Sequence, residues 1–312
     1  MKRKIDVPYI DAERRISLKS MGNIVEIAVS DRMNTGATIQ PISKEEYVLL
    51  STGEIKQVVH HAEDRTENLR NLEKTMHSLS DLINANISPE NAECCRFITF
   101  TYRENMTDAE RLYTDFKNFN KRFKRYMEKA GRSYEYIITV EAQARGAFHL
   151  HGIFIFSKKA PFIDSSELSE MWGNGFVSVK AMGKNIDDIG RYLTSYLTDL
   201  PVDDDTPADV LGGSIKEIEA DGKSKRIIKG ARLKLLPVGI RIYRYSRGIK
   251  KPMVEQMTYG EAAEKLLSDG YTKVSEYAVE ITDIERDFKT KYVKQTFKKY
   301  INKDGENHEN KN

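Results

Sequence analysis

Two apolar runs near the middle of the chain alternate with the period of a β-strand. Tyr136-Ile137-Ile138-Thr139-Val140 ends in Glu141, and Phe148-His149-Leu150-His151-Gly152-Ile153-Phe154-Ile155-Phe156 follows Gln143-Ala144-Arg145-Gly146, which has the composition of a turn. The pair predicts a hairpin. With its centre near Arg145, Val140 and Leu150 meet on the core face, Glu141 falls opposite His149, and Thr139 falls opposite His151. One register thus buries the apolar set and gathers a carboxylate and two imidazoles on the other face. Upstream, Phe97-Ile98-Thr99-Phe100-Thr101-Tyr102 alternates in the same way, with Thr99 and Thr101 sharing a face.

Other segments carry helical spacing. Residues 62–86 place Leu69, Leu72, Met76, Leu79, Leu82 and Ile83 on one side, and Ser88-Pro89-Glu90 ends that helix. Thr107-Asp108-Ala109-Glu110 reads as a capping box opening a long helix, whose core stripe is Leu112, Phe116, Phe119, Phe123, Met127 and Ala130. Lys117, Lys121, Arg122, Lys124 and Arg125 crowd its remaining surface, as a solvated face or as a phosphate track beside the site. Ile186, Ile189, Leu193 and Leu197 form the stripe of a further helix, with Tyr192 and Tyr196 four positions apart at its margin.

Outside these segments the pattern is thinner. Gly22 to Val29 suggests short strands, Tyr259 to Leu267 a short helix, Arg286 to Tyr300 a charged terminal helix, and Asn302 to Asn312 a disordered tail. The acidic run Val202 to Asp209 reads as a linker. Beyond it, Arg226 to Arg232 and Lys250-Lys251-Pro252 are basic, with Tyr243 and Tyr245 interleaved, as a small sheet's surface or as a backbone-tracking, base-stacking one. The order strand, helix, hairpin, helix predicts an α+β fold, an antiparallel sheet with helices on one face. Four divisions follow: an N-terminal extension over 1–90, a core over 91–202, a C-terminal extension over 203–280, and a helix and tail over 281–312.

A His-x-His pair on a strand is half a metal site, and Glu141 completes a plausible ligand set. In their order along the chain, the strand Phe97 to Tyr102, Glu141 with His149-Leu150-His151, and the helix bearing Tyr192 and Tyr196 resemble the HUH endonucleases, in particular the rolling-circle replication initiators of plasmids, phages and integrative elements. Tyr243-Arg244-Tyr245-Ser246-Arg247-Gly248-Ile249-Lys250-Lys251-Pro252 resembles a signature of the Gram-positive and phage branch. The resemblance spans roughly residues 95 to 255.

What the resemblance implies is a ferredoxin-like or RNA-recognition-like five-stranded antiparallel sheet, with the two histidines on a central strand. It implies a nickase and strand transferase for single-stranded or hairpin origin DNA, with Tyr196 leading and Tyr192 as second nucleophile or positioning group. It further implies Mg²⁺ or Mn²⁺ on Glu141, His149 and His151, and a 3′-hydroxyl extended by a host polymerase working with a helicase. The family often places a lysine three residues after a motif tyrosine; here Ser195 and Asp199 stand there, with Arg191 and Lys184 as nearby cations. A relaxase or transposase would use the same chemistry. A DNA-binding regulator on a decayed nuclease fold is the contrasting class, and a small-molecule metal hydrolase leaves the tyrosines unexplained.

Composition narrows this picture. The 312 residues carry 50 basic and 47 acidic side chains, a net charge of +3, so DNA affinity must come from local patches and not from a uniformly basic coat. The two cysteines, Cys94 and Cys95, are adjacent and cannot staple distant segments, which fits a reducing, cytoplasmic compartment. No apolar run approaches the roughly 20 residues of a membrane span, no signal peptide is visible, and no P-loop points to a fused helicase. His60, His61, His77 and His308 have no such company as the central pair.

Overall fold

The computed structural model describes residues 2–31, 39–43, 45–58, 69–143, 146–182, 190, 194, 200–202, 215–220, 223–228, 235–237, 239–283 and 288–300. The chain divides into two units, residues 1–61 together with 252–312, and residues 62–251. In chain order the first unit opens with β1 (Lys2–Ile5), β2 (Arg15–Met21), β3 (Ile24–Ser30), β4 (Ile39–Pro41), β5 (Glu46–Leu49) and β6 (Ile55–Gln57). The second unit holds α1 (Leu69–Asn84), β7 (Cys95–Phe100), α2 (Ala109–Lys129), β8 (Tyr134–Ala142), β9 (Phe148–Phe156), α3 (Ser165–Trp172) and β10 (Val177–Ala181). It continues with β11 (Leu200–Pro201), β12 (Ile215–Ala220), β13 (Lys223–Ile228) and β14 (Tyr243–Tyr245). The chain then returns to the first unit with β15 (Met253–Thr258), α4 (Tyr259–Ser268), β16 (Thr272–Asp283) and β17 (Phe288–Lys298).

The first unit is a six-stranded antiparallel sheet in the order β1-β16-β17-β3-β2-β15. Alternation in β2 and β3 puts Ile16, Leu18, Val25, Ile27 and Val29 on one face, where Ala262 and Leu266 of α4 cover them. A capping box starts α4: the Thr258 hydroxyl accepts from the Glu261 N–H, and the Glu261 carboxylate accepts from the Thr258 N–H. The segment expected as a charged terminal helix is a strand. Thr290, Tyr292, Val293, Thr296 and Phe297 are β-branched or aromatic, and no apolar stripe at helical spacing runs through them. Charge density, which says little about backbone preference, prompted the helical expectation. The first and last segments share one sheet, an arrangement that the sequence divisions at 90/91, 202/203 and 280/281 do not follow.

The second unit is built on a five-stranded antiparallel sheet in the order β10-β7-β9-β8-β14, so β9 is central, as expected. Its two faces have different covers. On one, Ile98, Phe100, Ile138, Val140, Leu150 and Phe154 pack against α2 through Leu112, Phe116, Phe119, Phe123 and Met127, and against α3 through Leu168 and Trp172. The Trp172 indole N–H, buried with its ring, donates to the Thr101 carbonyl at 2.7 Å. On the other face, Cys95, Ile137 and Ile153 meet Leu79, Leu82 and Ile83 of α1, so helices on one face is only part of the arrangement. Burial pushes the Cys95 thiol up to about 12, which leaves it inert.

The long helix α2 is capped one residue later than the sequence predicts. Asp108 Oδ1 accepts from the N–H groups of Glu110 (2.8 Å) and Arg111 (3.1 Å), so Asp108 and not Thr107 closes the first turn. Asp108→Ala should therefore cost about 1 kcal/mol in chemical denaturation, while Thr107→Ala stays within about 0.5 kcal/mol of the parent. The reverse order would return the cap to Thr107.

Candidate functional site

The hairpin register decides which side chains can meet. In the β8–β9 ladder Glu141 is opposite His149, Val140 opposite Leu150 and Thr139 opposite His151, as the sequence pattern predicts. The β7–β9 ladder adds Thr99 opposite His151. Odd-numbered positions of the three strands thus share the face opposite α2, and Glu141, His149 and His151 lie on it together. One ligand atom from each falls within 4.8 Å of the others.

Burial around the cluster is uneven. His151 is 3 % exposed and Glu141 5 %, whereas His149 is intermediate. His151 Nε2 is hydrogen-bonded to Glu141 Oε2, and its Nδ1 lies 3.1 Å from the Thr99 hydroxyl. Phe97 stacks on the His151 ring, with centroids 5.5 Å apart and planes 17° apart. His151 is therefore held on both nitrogens and one ring face, which leaves its orientation little freedom. Two neutral imidazoles and a carboxylate at this spacing suit a hard or borderline divalent ion, and the donor chemistry fits Mn²⁺ or Mg²⁺.

The other expected site residues fall elsewhere. Lys117, Lys121, Arg122, Lys124 and Arg125 are exposed on α2, which packs on the opposite face, so the sheet separates them from the cluster. The phosphate track expected beside the site is not formed there, because the apolar stripe of α2 fixes which face it covers; Arg122 instead donates to the Met171 carbonyl at 2.8 Å. Tyr192, Tyr196, Arg191, Lys184, Ser195 and Asp199 lie outside the described residues. Two residues of their segment are described, Gly190 and Thr194, both helical and buried. The Gly190 N–H donates to Asn84 Oδ1 of α1 at 2.8 Å, and a Cβ on Gly190 would lie 2.3 Å from the Ser80 carbonyl. A glycine is needed for that approach, and only the packing partner reveals why.

Sequence reasoning missed Asn84 and Phe97 as supports of this region. Neither carries a chemical signal of its own; each matters through what the fold brings beside it. Thr99 was placed on the correct face, but its bond to His151 depends on the β7–β9 pairing, which local pattern does not specify.

Residues 95–200, about a third of the chain, match the family described as Replication-associated protein, ORF2 type. The matched segment contains the whole cluster. No curated protein and no solved structure matches the chain. No helix among the described residues is long and apolar enough to cross a membrane.

Burial drives the His151 pKa down to about 3, with Lys180 adding a smaller push in the same direction; the neutral, metal-binding form therefore prevails at ordinary pH. Because the unfolded chain takes up this proton near 6.5 and the folded one does not, stability falls as the pH drops below 6.5. In metal-stripped protein the loss attributable to His151 should approach roughly 1.4 kcal/mol per pH unit at its steepest. Denaturation at pH 6.5 and 5 compared with His151→Gln checks this: the variant should show the shallower dependence. A steeper one would mean that the imidazole is charged in the folded state.

Proposed function

With residues 95–200 matching the replication-associated protein family, we propose that the protein cuts and rejoins single-stranded DNA at a divalent metal held by Glu141, His149 and His151, and so initiates rolling-circle replication. The observation that carries this reading is the cluster itself: two imidazoles and a carboxylate on the central hairpin, with ligand atoms within 4.8 Å, inside the family-matched segment. Tyr196 is taken as the leading nucleophile and Tyr192 as its partner.

The chemistry explains why each group is wanted. A tyrosine oxygen attacks phosphorus as it gives up its proton; the bond from phosphorus to the 3′ oxygen breaks, and that oxygen takes a proton. The protein keeps a 5′-phosphotyrosine, and the free 3′-hydroxyl is one a polymerase can extend. The conserved bond energy lets a later 3′-hydroxyl reverse the step. A phenol with a pKa of about 10 is only about one part in a thousand ionised at neutral pH. When bound, Mn²⁺ or Mg²⁺ supplies positive charge for the phosphate oxygens.

The chain's own residues prepare that site. Glu141 and His151 bring one negative charge and one neutral nitrogen into a nearly dry position, where a cation stabilises them jointly. Thr99 suits either tautomer of His151. Its hydroxyl donates to Nδ1 while Nε2–H is bonded to Glu141, and it accepts from Nδ1–H once Nε2 is a ligand. His149, the most exposed of the three, faces the wetter side from which DNA approaches. Asn84 and Ser80 receive Gly190, two residues before Tyr192, and so fix where the tyrosine segment starts.

His149→Ala or His151→Ala should abolish formation of a covalent protein–DNA adduct on labelled single-stranded origin DNA with Mn²⁺, while most of the DNA affinity, carried by phosphate contacts, remains. Cleavage at the parent rate by either variant in limiting metal would remove the metal assignment. Phenylalanine keeps ring packing and deletes only the hydroxyl, so Tyr196→Phe should lose the first adduct and Tyr192→Phe should retain it. If Tyr192→Phe alone forms no adduct, the order is inverted. If only the double variant fails, the two tyrosines are interchangeable.

A further inference from the structure

The stretch Arg241 to Lys251 holds five cations and no carboxylate. The structure makes its centre the outer strand of the sheet that bears the metal cluster. In β14, Tyr243 is opposite Thr139 and Tyr245 opposite Ile137 of β8. Thr139 is itself opposite His151, and His151 opposite Thr99. One row therefore crosses the sheet as Tyr243, Thr139, His151, Thr99. With strands about 4.8 Å apart, Tyr243 stands about 10 Å from His151 on the same face.

The two tyrosines form a ladder there. Their rings stack with centroids 6.3 Å apart and planes 21° apart, and Tyr245 is 40 % exposed. The segment behind them is fastened down. Ser246 Oγ donates to the Glu135 carboxylate, the Gly248 N–H donates to the same group at 3.1 Å, and a Cβ on Gly248 would meet its oxygen at 2.2 Å. The Lys250 N–H donates to Asn86 Oδ1 at 2.8 Å, Asn86 Nδ2 donates back to the Lys250 carbonyl at 2.7 Å, and Ile249 is buried with α1. On the other face, Arg244 lies over the Tyr113 ring of α2, 3.3 Å from its centroid. Arg247, Lys250 and Lys251 remain exposed.

We propose that Tyr243 and Tyr245 are a stacking platform for the bases of single-stranded DNA next to the scissile phosphate, and that Arg247, Lys250 and Lys251 contact its backbone. This rests on the DNA-cleaving reading above and adds where the strand lies. Charge and ring chemistry select the occupant. A run of cations with no carboxylate among them favours a polyanion, and aromatic faces reward a polymer whose bases are unpaired, since duplex bases already spend both faces on one another. A pre-fastened strand presents these rings with little ordering left to do on binding.

The test is fluorescence anisotropy of the full chain with a labelled single-stranded oligonucleotide in chelator, where no cutting occurs. Tyr245→Ala should weaken binding about tenfold or more, whereas Tyr245→Phe stays within about threefold, because stacking needs the ring and not the hydroxyl. A duplex of equal length should bind both variants alike, and Arg247→Ala should lower the salt slope on the single strand by about 0.7. Unchanged single-strand affinity of Tyr245→Ala at an unchanged melting temperature overturns the platform, as does an equal loss for duplex or a tighter, Tyr245-dependent grip on RNA of the same sequence. Adduct formation with Mn²⁺ is read separately. Tyr245-dependent binding without an adduct keeps the platform and sinks the nickase; an adduct with Tyr245-independent affinity does the reverse.

Discussion

Everything about the site depends on the pairing of β8 with β9. Side chains alternate along a strand, so a slip of one residue would turn Glu141 into the aromatic core and Val140 onto the open face. The core prevents this. Ile138, Val140, Leu150 and Phe154 must all face α2 for its phenylalanines to be buried, and that requirement alone places Glu141, His149 and His151 together on the opposite side. The chemistry of the cluster is thus held by an apolar constraint on the far face of the sheet.

The cluster is unfavourable in isolation, which is informative. A carboxylate and an imidazole that are almost fully buried give up hydration that a single hydrogen bond between them does not restore. A fold selected for stability alone would place apolar residues there, as it does one pair further along the sheet at Ile137 and Ile153. A cation would offset the buried negative charge and give the imidazole lone pairs a partner. The polar triad at the end of an apolar strip is therefore the local inconsistency in an otherwise consistent core, and such inconsistencies concentrate where function is.

How far the sequence reveals all this follows from the range of each interaction. The hairpin register, the central position of the histidines, and helices α1, α2 and α4 come from periodicity and turn residues within a few positions of one another, and those were legible. The strand over Phe288–Lys298 was not, because its lysines suggested a solvated helix while its partners, β3 and β16, are set by long-range pairing. The same limit hid the tyrosine row. Tyr243 and Tyr245 stand out as aromatics among cations, but that they join the metal-bearing face follows from the pairing of β14 with β8 across about a hundred residues. Asn84 and Gly190 are silent for a related reason: neither says anything until the second is found against the first.

These long-range contacts also bear on what the family-matched segment can do alone. Residues 95–200 contain the cluster but neither α1 nor β14. Without α1, Cys95, Ile137 and Ile153 lose the cover of Leu79, Leu82 and Ile83, and an apolar strip beside the cluster would face water. Without β14, the backbone of β8 becomes an unpaired edge next to Glu141, open to association with any other strand. The flanking segments thus finish the sheet on which the chemistry sits: one shields the apolar floor, and the other closes the edge while presenting tyrosines in register with the histidines. The sequences on either side of the matched segment are in this sense parts of one site, joined to it by packing that no contiguous motif records.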